Sequence, residues 1–304
     1  MKVHTFYLLL LCCLSNNLSF AQHYFYNNLY YDNDFLFEGG ISLGAMNCLT
    51  DIGGRSGTGK FFLKDLNWQN TKVSGGVFAN LCYRYALGIR LELNVGKIMA
   101  YDSILKNDRS EARNRYLRNL HFKSNITELM LLAELHPLVL LGMNKKANTI
   151  SPYLVGGTGI FYFDPKARAG EEWISLHELH TEGQGFAEYP ERKPYRLTQV
   201  NFPVGVGIKL ECAAQVNFRF EVLHRITRTD YLDDVSTRYI DPALFQKYLS
   251  PYLASYALQL HNRQKEIDPS ATAIPNDIRG NNNRNDSYFT VQCKLSMVIG
   301  RERR

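Results

Sequence analysis

The sequence predicts an all-β fold, an eight-stranded antiparallel transmembrane β-barrel with long outward loops. Three observations lead to this prediction. Apolar and polar residues alternate along eight segments, most of these segments are ten or more residues long, and short connections alternate with long ones. Alternation with a period of two marks a strand with one apolar face. A strand that crosses a bilayer needs about 9–11 residues, whereas most strands of soluble proteins have about five or six.

The N-terminal segment is typical of a secretory signal peptide. A positive start and the apolar run 6–14 precede a small-x-small cleavage site that ends at Ala21. Nine apolar residues are too few to cross a hydrocarbon core about 30 Å thick, so a membrane anchor is not expected. We therefore expect residues 1–21 to be a cleaved signal peptide and residues 22–304 to form a single barrel domain in the outer membrane.

Four segments show the alternation most clearly: "GIRLELNVG" from 88, "VNFPVGVGIKL" from 200, "VNFRFEV" from 216 and "FTVQCKLSMVI" from 289. Each places apolar residues on one face and polar or small residues on the other. Weaker versions of the pattern complete the set. The predicted strands are 36–48, 74–86, 88–100, 123–135, 152–163, 196–212, 214–229 and 286–300.

The connections between these strands differ in length in a regular way. The second connection is built around "YALG" and the sixth around "AAQ", whereas the first, third, fifth and seventh run from about twenty to more than fifty residues. The fourth, "HPLVLLGMNKKANTIS", is intermediate. Outer-membrane barrels have short periplasmic turns and long extracellular loops. We therefore expect both termini on the periplasmic side and the long loops outside.

A soluble, lipocalin-like barrel would show the same alternation, because alternation does not tell which face points inward. Strand length, charges of both signs on the polar face and aromatic residues near strand ends favour the membrane barrel, since an eight-stranded lumen is only wide enough for side chains. The predicted lumen charges are Arg90, Glu92, Glu128, Lys209, Arg219 and Glu221, with Glu38, Arg84, Glu134, Glu211 and Lys294 on the same face. The aromatic residues expected at the membrane interfaces are Phe37, Tyr83, Tyr85, Tyr153, Phe163, Tyr195 and Tyr288.

Composition excludes several classes. The net charge of +6 is spread along the chain without a basic stripe, so nucleic acid is not an expected partner. No later segment has the 18 or more apolar residues of a membrane helix. Cys48, Cys82, Cys212 and Cys293 lack metal-site or redox spacing, and we expect apolar fillers on strands rather than disulfides.

The stretch "GRSGTGKF" at 54–61 is close to a phosphate-binding loop. Gly54, Gly59 and Lys60 fit the pattern, but Phe61 stands where a Ser or Thr should hold magnesium. The stretch also lies in the first predicted outward loop, with no helix start signal after it. We expect a flexible turn and no nucleotide.

Two loop segments carry residues capable of chemistry. His177, His180 and Glu182 form a weak metal signal, because the pair lacks a defined third ligand. Asp230, Asp233 and Asp234 could bind calcium or raise each other's pKa, but hydrogen bonding within a tight loop, with Arg225 or Arg228 as partners, is favoured. No catalytic set, metal site or cofactor is predicted.

The last long loop has two parts. Leu244, Tyr248, Leu249, Tyr252, Leu253, Tyr256 and Leu260 recur at helical spacing within 242–265, and Pro251 marks a second helix start. This part is predicted to be helical and to pack on the barrel rim or to form a lid. The part that follows, "NDIRGNNNRND", is polar and is predicted to be mobile.

Five motifs occur in one order: "RNLHFKSNITEL" at 118–129, "SPYLVGGTGIFYFDPKA" at 151–167, "HTEGQG" at 180–185, "FPVGVGIK" at 202–209 and "TDYLDDVS" at 229–236. Together they resemble a family of outer-membrane β-barrels of the Bacteroidota, largely of unknown function, that includes PorG of the type IX secretion system. The resemblance implies a barrel with no known reaction that associates with a periplasmic ring lipoprotein and its partner. The loop residues it singles out are Thr181, Glu182, Gly183, Gln184, Gly185, Asp230, Tyr231, Asp233 and Asp234.

On this resemblance, the expected function is to anchor or organise the secretion complex, which exports proteins and supports gliding motility. The expected partners are outer-membrane lipid and the periplasmic ring proteins, without nucleotide or nucleic acid. Two alternatives stay open, a surface enzyme and a small-solute channel. The narrow, charged lumen argues against the channel.

Overall fold

The computed structural model describes residues 30–54, 68–106, 113–141, 150–271 and 274–303. The predicted signal peptide and the stretch "GRSGTGKF", apart from Gly54, lie outside these residues, so the structure does not bear on either prediction.

Eight long strands form the wall of the barrel. They are β1 (Tyr30–Leu49), β2 (Lys72–Tyr83), β3 (Leu87–Tyr101), β4 (His121–Leu135), β5 (Ile150–Tyr162), β8 (Thr198–Ala213), β9 (Val216–Thr227) and β10 (Ser287–Arg303). Between β5 and β8 the chain makes a short hairpin, β6 (Lys166–Ala169) and β7 (Glu172–Ser175), which the sequence pattern did not predict.

Antiparallel pairing closes the sheet into a ring. β1 pairs with β2 on one side and with β10 on the other, so that Ile41 lies opposite both Val77 and Leu295. β3 pairs with β4, where Leu91 lies opposite Leu131, and the remaining neighbours follow in the order β4, β5, β8, β9, β10. The prediction of an eight-stranded antiparallel barrel is therefore confirmed.

The barrel is apolar outside and polar inside. On the outer face, Leu91, Val206 and Met297 are 51%, 56% and 61% exposed. On the inner face, Arg90 and Glu92 have no exposed surface. An apolar exterior around a charged interior is the reverse of a soluble barrel and is the arrangement of barrels that span a membrane.

The two ends of the barrel are built differently. At one end, residues 84–86 join β2 to β3 and residues 214–215 join β8 to β9, and the helix α2 (Pro137–Leu140) begins the connection from β4 to β5. At the other end lie the long connections, which contain α1 (Arg113–Arg118), α3 (Ala243–Tyr248) and α4 (Pro251–His261). The predicted helical part of the last loop is confirmed as α3 and α4, and the Ser250 hydroxyl caps α4 by accepting from the Leu253 N–H. None of the helices in the described ranges is long and apolar enough to cross a membrane.

The long connections pack on one another as a folded unit, here named the outer cap. The outer cap consists of the described residues within 50–71, 102–120, 163–197 and 228–286. Its apolar core includes Leu179, Phe245 and Leu260, and it continues into the barrel mouth through Phe122 and Phe161. The loops at this end therefore form a second core on top of the barrel.

The structure also bears on the predictions for the cysteines and for the interface aromatics. Cys48, Cys82, Cys212 and Cys293 are all unpaired, as expected, although only the first two are buried fillers. The predicted interface aromatics include Phe37 and Tyr83, which are exposed on the barrel. The prediction is wrong for Tyr153, Phe163 and Tyr288, which are buried and fill the lumen and the cap.

Candidate functional site

Charged side chains inside the barrel form a network of ion pairs, here named the lumen network, which has three parts. The first part surrounds Arg219. Its Nη1 donates to both oxygens of Glu134, at 2.9 and 2.8 Å, and its Nη2 donates to Glu38. Lys209 Nζ lies 3.4 Å from the other oxygen of Glu38. All four side chains are buried, so each charge is neutralised by a direct partner rather than by water.

The second part surrounds Arg90. Its guanidinium contacts Glu92, Glu134 and Glu221 at 3.0, 2.6 and 2.8 Å. Lys294 Nζ bridges two of the same carboxylates, with 2.6 Å to Glu92 and 2.8 Å to Glu221. These contacts join the first and second parts into one network across the lumen.

The third part lies nearer the outer cap, around Glu128. Arg225 Nη2 lies 2.6 Å from Glu128 Oε1, and the Tyr288 hydroxyl donates to Oε2 at 2.8 Å. The amides of Asn94 and Asn201 also donate to this carboxylate. Side chains joined by charge-assisted hydrogen bonds therefore occupy the lumen at three levels.

Strand register explains why these charges meet. Arg219, Glu221 and Arg225 share the inward face of β9 because successive inward positions are two residues apart. The structure places all six predicted lumen charges, Arg90, Glu92, Glu128, Lys209, Arg219 and Glu221, in this network. It does not place Arg84 there. Arg84 sits in the turn after β2, exposed and paired with Asp34, because the alternation ends at Tyr83.

In the outer cap, the Glu182 carboxylate contacts backbone and side-chain groups of several residues at once. Its Oε1 accepts from the Ser236 N–H at 3.0 Å and from Arg279 Nη1 at 2.9 Å. Its Oε2 accepts from the N–H and the hydroxyl of Thr237, at 2.9 and 2.6 Å, and lies 3.4 Å from the Tyr231 hydroxyl. One carboxylate thus holds the long connection 163–197 against the long connection 228–286.

The motif "TEGQG" folds as a tight turn that presents Glu182. Gly183 and Gly185 have φ of 73° and 84°, a backbone region that favours glycine. A Cβ on Gly183 would lie 2.8 Å from the Tyr189 ring. The Gln184 side-chain oxygen accepts from the N–H of Glu182 at 3.1 Å and fixes the turn from inside.

The aspartates of "TDYLDDVS" have different environments. Asp234 accepts from the hydroxyls of Thr181 and Tyr195, at 2.5 and 2.9 Å. Asp233 accepts from the backbone N–H groups of Ile52 and Val235, at 3.0 and 2.9 Å. Both oxygens of Asp230 are buried; in the described part of the chain they meet no strict hydrogen-bond geometry, although the Ser236 side chain lies close enough to lower the pKa of Asp230 against the effect of burial. The structure therefore brings Thr181, Glu182, Tyr231 and Asp234 together and leaves Asp230 apart from them.

The cations of the cap are not the predicted ones. Arg225 and Arg228 were expected beside the aspartates, but Arg225 binds Glu128 in the lumen and Arg228 lies 5.0 Å from the Phe202 ring centroid. Arg279 takes this place instead, between Glu182 and the Asp234 carbonyl.

Arg279 belongs to the segment that was predicted to be mobile, yet it is only 2% exposed. The signal that could have located it is the glycine that follows it. A Cβ on Gly280 would lie 2.7 Å from the Ser236 N, so this polar segment runs tightly against residues 228–236 at the start of the same connection.

A second buried arginine, Arg118, joins the first two long connections to each other and to the last one. Its Nε donates to Asp102 Oδ2 at 2.8 Å, its Nη1 to the Arg279 carbonyl at 2.6 Å and its Nη2 to the Asp51 carbonyl at 2.8 Å. Arg118 and Arg279 thus each donate several hydrogen bonds, and each reaches at least one other long connection. They act as links between loops rather than as free positive charges.

Burial changes the titration of the cap. It raises the pKa of Asp230 and Asp233 to about 8, with repulsion from Asp51 adding to both, and that of Asp234 to about 7 against the attraction of Arg279. Burial also lowers the pKa of His261 to about 3. These three aspartates therefore keep their protons to a higher pH than an exposed aspartate does.

The histidines considered as metal ligands have structural contacts. His177 Nε2 lies 2.9 Å from the Tyr195 carbonyl oxygen, and the ring centroids of His177 and His180 are 6.4 Å apart. Within the described ranges, no group of three or more His, Cys, Asp or Glu side chains is placed to hold a metal ion.

Two neighbouring clefts open on the outer cap. The larger, about 760 Å³, is lined among others by Asp51, Arg118 and Arg279. The smaller, about 600 Å³, is lined among others by Tyr231 and Lys193. Their linings share Arg238, Ile278, Gly280 and Asn281.

Fold and burial together define an outer-membrane-type transmembrane β-barrel with a filled lumen and a folded outer cap. No protein-family model matches the sequence, and no curated protein matches it. Among solved structures, the chain is similar to the N-terminal β-barrel domain of Pseudomonas aeruginosa OprF, with 7% identity, 88% of this chain and 100% of that chain covered, and a TM-score of 0.34.

It is also similar to Neisserial surface protein A, with 6% identity, 88% and 98% of the two chains covered and a TM-score of 0.37. For OprG from Pseudomonas aeruginosa the identity is 8%, the coverage 90% and 97%, and the TM-score 0.36. Because these scores are low, the fold assignment depends on the strand pairing and burial described above.

Proposed function

We propose that the chain is a non-enzymatic, PorG-like barrel that anchors or organises the type IX protein secretion and gliding complex at the outer membrane. The observation that carries the proposal is the filled lumen, in which five carboxylates are ion-paired with five cations. Side chains engaged in this way hold the barrel together. The ordered motifs quoted above add the link to secretion.

A barrel of this kind acts through its surfaces. At the short-turn end, Leu140 and Leu141 are 52% and 72% exposed, directly at the end of α2. Apolar side chains exposed in a connection are typical of contact sites for other proteins. We therefore assign this connection to the periplasmic ring lipoprotein and its partner.

The test compares two variants in whole cells. The chain is tagged, intact cells are cross-linked, and proteins that co-purify from solubilised outer membrane are identified. Leu140→Ser with Leu141→Ser should lose the ring lipoprotein, whereas Leu258→Ser, at an exposed leucine of α4 in the outer cap, should retain it. Recovery of the barrel alone, while a control ring component cross-links well, would overturn the proposal.

Conductance distinguishes the channel alternative. In planar bilayers we expect no steady current from the intact barrel, because opposite charges occupy the lumen. Steady single-channel steps would favour a small-solute channel. The enzyme alternative requires a cap residue whose replacement abolishes turnover and leaves the barrel folded.

A further inference from the structure

Four aspartates lie within electrostatic range of one another at the base of the outer cap, where backbone hydrogen bonds to Asp233 and Asp286 join their segments. We name Asp51, Asp230, Asp233 and Asp286 the four-aspartate cluster. They come from the first long connection and from both ends of the last one. Three of them hold backbone groups of other segments. Asp51 accepts from the Asn281 N–H at 2.6 Å, Asp233 from Ile52 at 3.0 Å and Asp286 from Leu232 at 2.9 Å.

Among the residues that the structure describes, few positive charges face this cluster. Arg118 and Arg115 act on Asp51, and Arg118 also acts on Asp233. The other titratable groups that face it are Glu182 and the Cys48 thiol.

The two buried arginines have their own carboxylates. Arg118 pairs with Asp102, while Arg279 pairs with Glu182, lies near Asp234 and has Tyr239 beside it. Four buried or half-buried carboxyl groups within electrostatic range of one another raise each other's pKa, so they do not all ionise together at neutral pH.

The cluster is in contact with the external side. Asp51 lines the cleft of about 760 Å³, together with Arg115, Arg118 and Asn281. Protons can therefore pass between the cluster and the external medium through this cleft.

We propose that the four-aspartate cluster is a proton-operated latch that holds the outer cap most tightly in acidic external medium and loosens it progressively as the medium becomes neutral and then alkaline. When the carboxyl groups lose their protons to external water, like charges appear at the joints between residues 50–54, 228–236 and 276–286. Repulsion then separates these segments, whereas the barrel wall stays paired.

The direction follows from the titration. The pKa of Asp230 and of Asp233 is raised from 3.8 to about 8, and that of Asp286 is also raised, in each case by burial and by the neighbouring aspartates. A carboxyl group with a raised folded-state pKa contributes stability that is complete below its unfolded value and is lost as the pH rises through the folded value. The cap should therefore lose stability between about pH 4 and pH 8.

The test uses the full chain in lipid vesicles. Limited proteolysis of the outer cap is followed from acidic to alkaline pH and normalised to cleavage of an unfolded substrate. We expect cap cleavage to increase by up to about tenfold per pH unit for each cluster carboxyl between about pH 4 and pH 8, where the opened cap has lost a proton that the closed cap still holds. The heat-dependent gel shift of the folded barrel should be unchanged. Asp230→Asn should move the transition to higher pH. Asp268→Asn, at an exposed aspartate of the same connection, should not.

Two results would overturn the latch. One is cap cleavage that is independent of pH. The other is cleavage that rises only when a chelator removes divalent cations, at every pH, which would mean that a cation and not protons neutralises the cluster. If Asp230→Asn does not fold, Asp51→Asn tests the same shift, because Asp51 lies at the cleft edge of the cluster.

Discussion

The lumen and the outer cap both bury many ionisable groups, but they neutralise them differently. In the lumen, Glu38, Glu92, Glu128, Glu134 and Glu221 each contact at least one cation directly. In the described part of the cap, the two buried arginines pair with Asp102, Glu182 and Asp234, and the charge of the four-aspartate cluster is offset through space by Arg118 and Arg115. Among the described residues, direct ion pairs therefore neutralise the carboxylates inside the barrel, whereas the carboxyl groups of the cluster are neutralised less directly.

The difference comes from how each region is built. In the barrel, pairing register fixes which side chains face one another, so that opposite charges on different strands are held at matching heights. In the cap, loops meet through backbone groups, and a carboxylate can accept two N–H bonds without any cation, as Asp233 does. The lumen should consequently respond to the loss of a single charge, and the cap to pH.

The largest effect is expected for Arg219→Met. This change leaves Glu134 and Glu38 buried with one cation fewer, and breaking a buried ion pair costs about 3–5 kcal/mol of unfolding free energy. Urea unfolding of the vesicle-inserted barrel measures it. A change as small as that of an exposed pair would mean that water or a proton enters the lumen to compensate.

Glu182→Ala should act on the cap alone, at a comparable cost, because it also breaks a buried ion pair, the one with Arg279. Four donors, from Ser236, Thr237 and Arg279, lose their acceptor, and a buried donor left unsatisfied costs about 1–3 kcal/mol. We expect protease cleavage of the outer cap at neutral pH with a normal barrel gel shift. Loss of the folded barrel itself would contradict the separation between the two regions.

The lumen could be predicted from the sequence because its information is local. A period of two is visible in each strand and places Arg219 and Glu221 on the inward face. The same parity could have corrected the aromatic prediction, since Tyr288 shares the face of Gln292 and Lys294. Position near a strand end was the weaker signal for this side chain.

The cap could not be predicted in the same way. Glu182 meets Ser236 across 54 residues and Arg279 across 97, and neither pair follows a periodic pattern. The hairpin of β6 and β7 was missed because each strand has only four residues. Resemblance to known motifs singled out Glu182 and Asp234, but it said nothing of Arg279, which binds them both.

Gly207→Ala tests how tightly the lumen is packed and should have a moderate effect. A Cβ at this position would lie 2.3 Å from Cζ of the buried Tyr153 ring, whose hydroxyl donates to Glu221 at 2.8 Å. Overpacking of this kind costs about 1–3 kcal/mol. Tyr153→Phe should lower the unfolding free energy less in the Gly207→Ala background than in the natural chain, because the displaced ring has already lost that hydrogen bond. Equal costs in the two backgrounds would show that the ring had not moved.

The smallest effect is expected at the turn that the alternation wrongly assigned to the lumen. Arg84 and Asp34 form an ion pair of 3.0 Å whose side chains are 62% and 59% exposed, so Arg84→Ala should barely change the urea midpoint. Arg84 also has a φ of 47°, where glycine is unstrained, so Arg84→Gly should be no less stable than Arg84→Ala. If both variants lowered the midpoint as far as Arg219→Met, charge pairing at the exposed end would matter as much as in the lumen. The contrast between screened and buried pairs in this barrel would then be wrong.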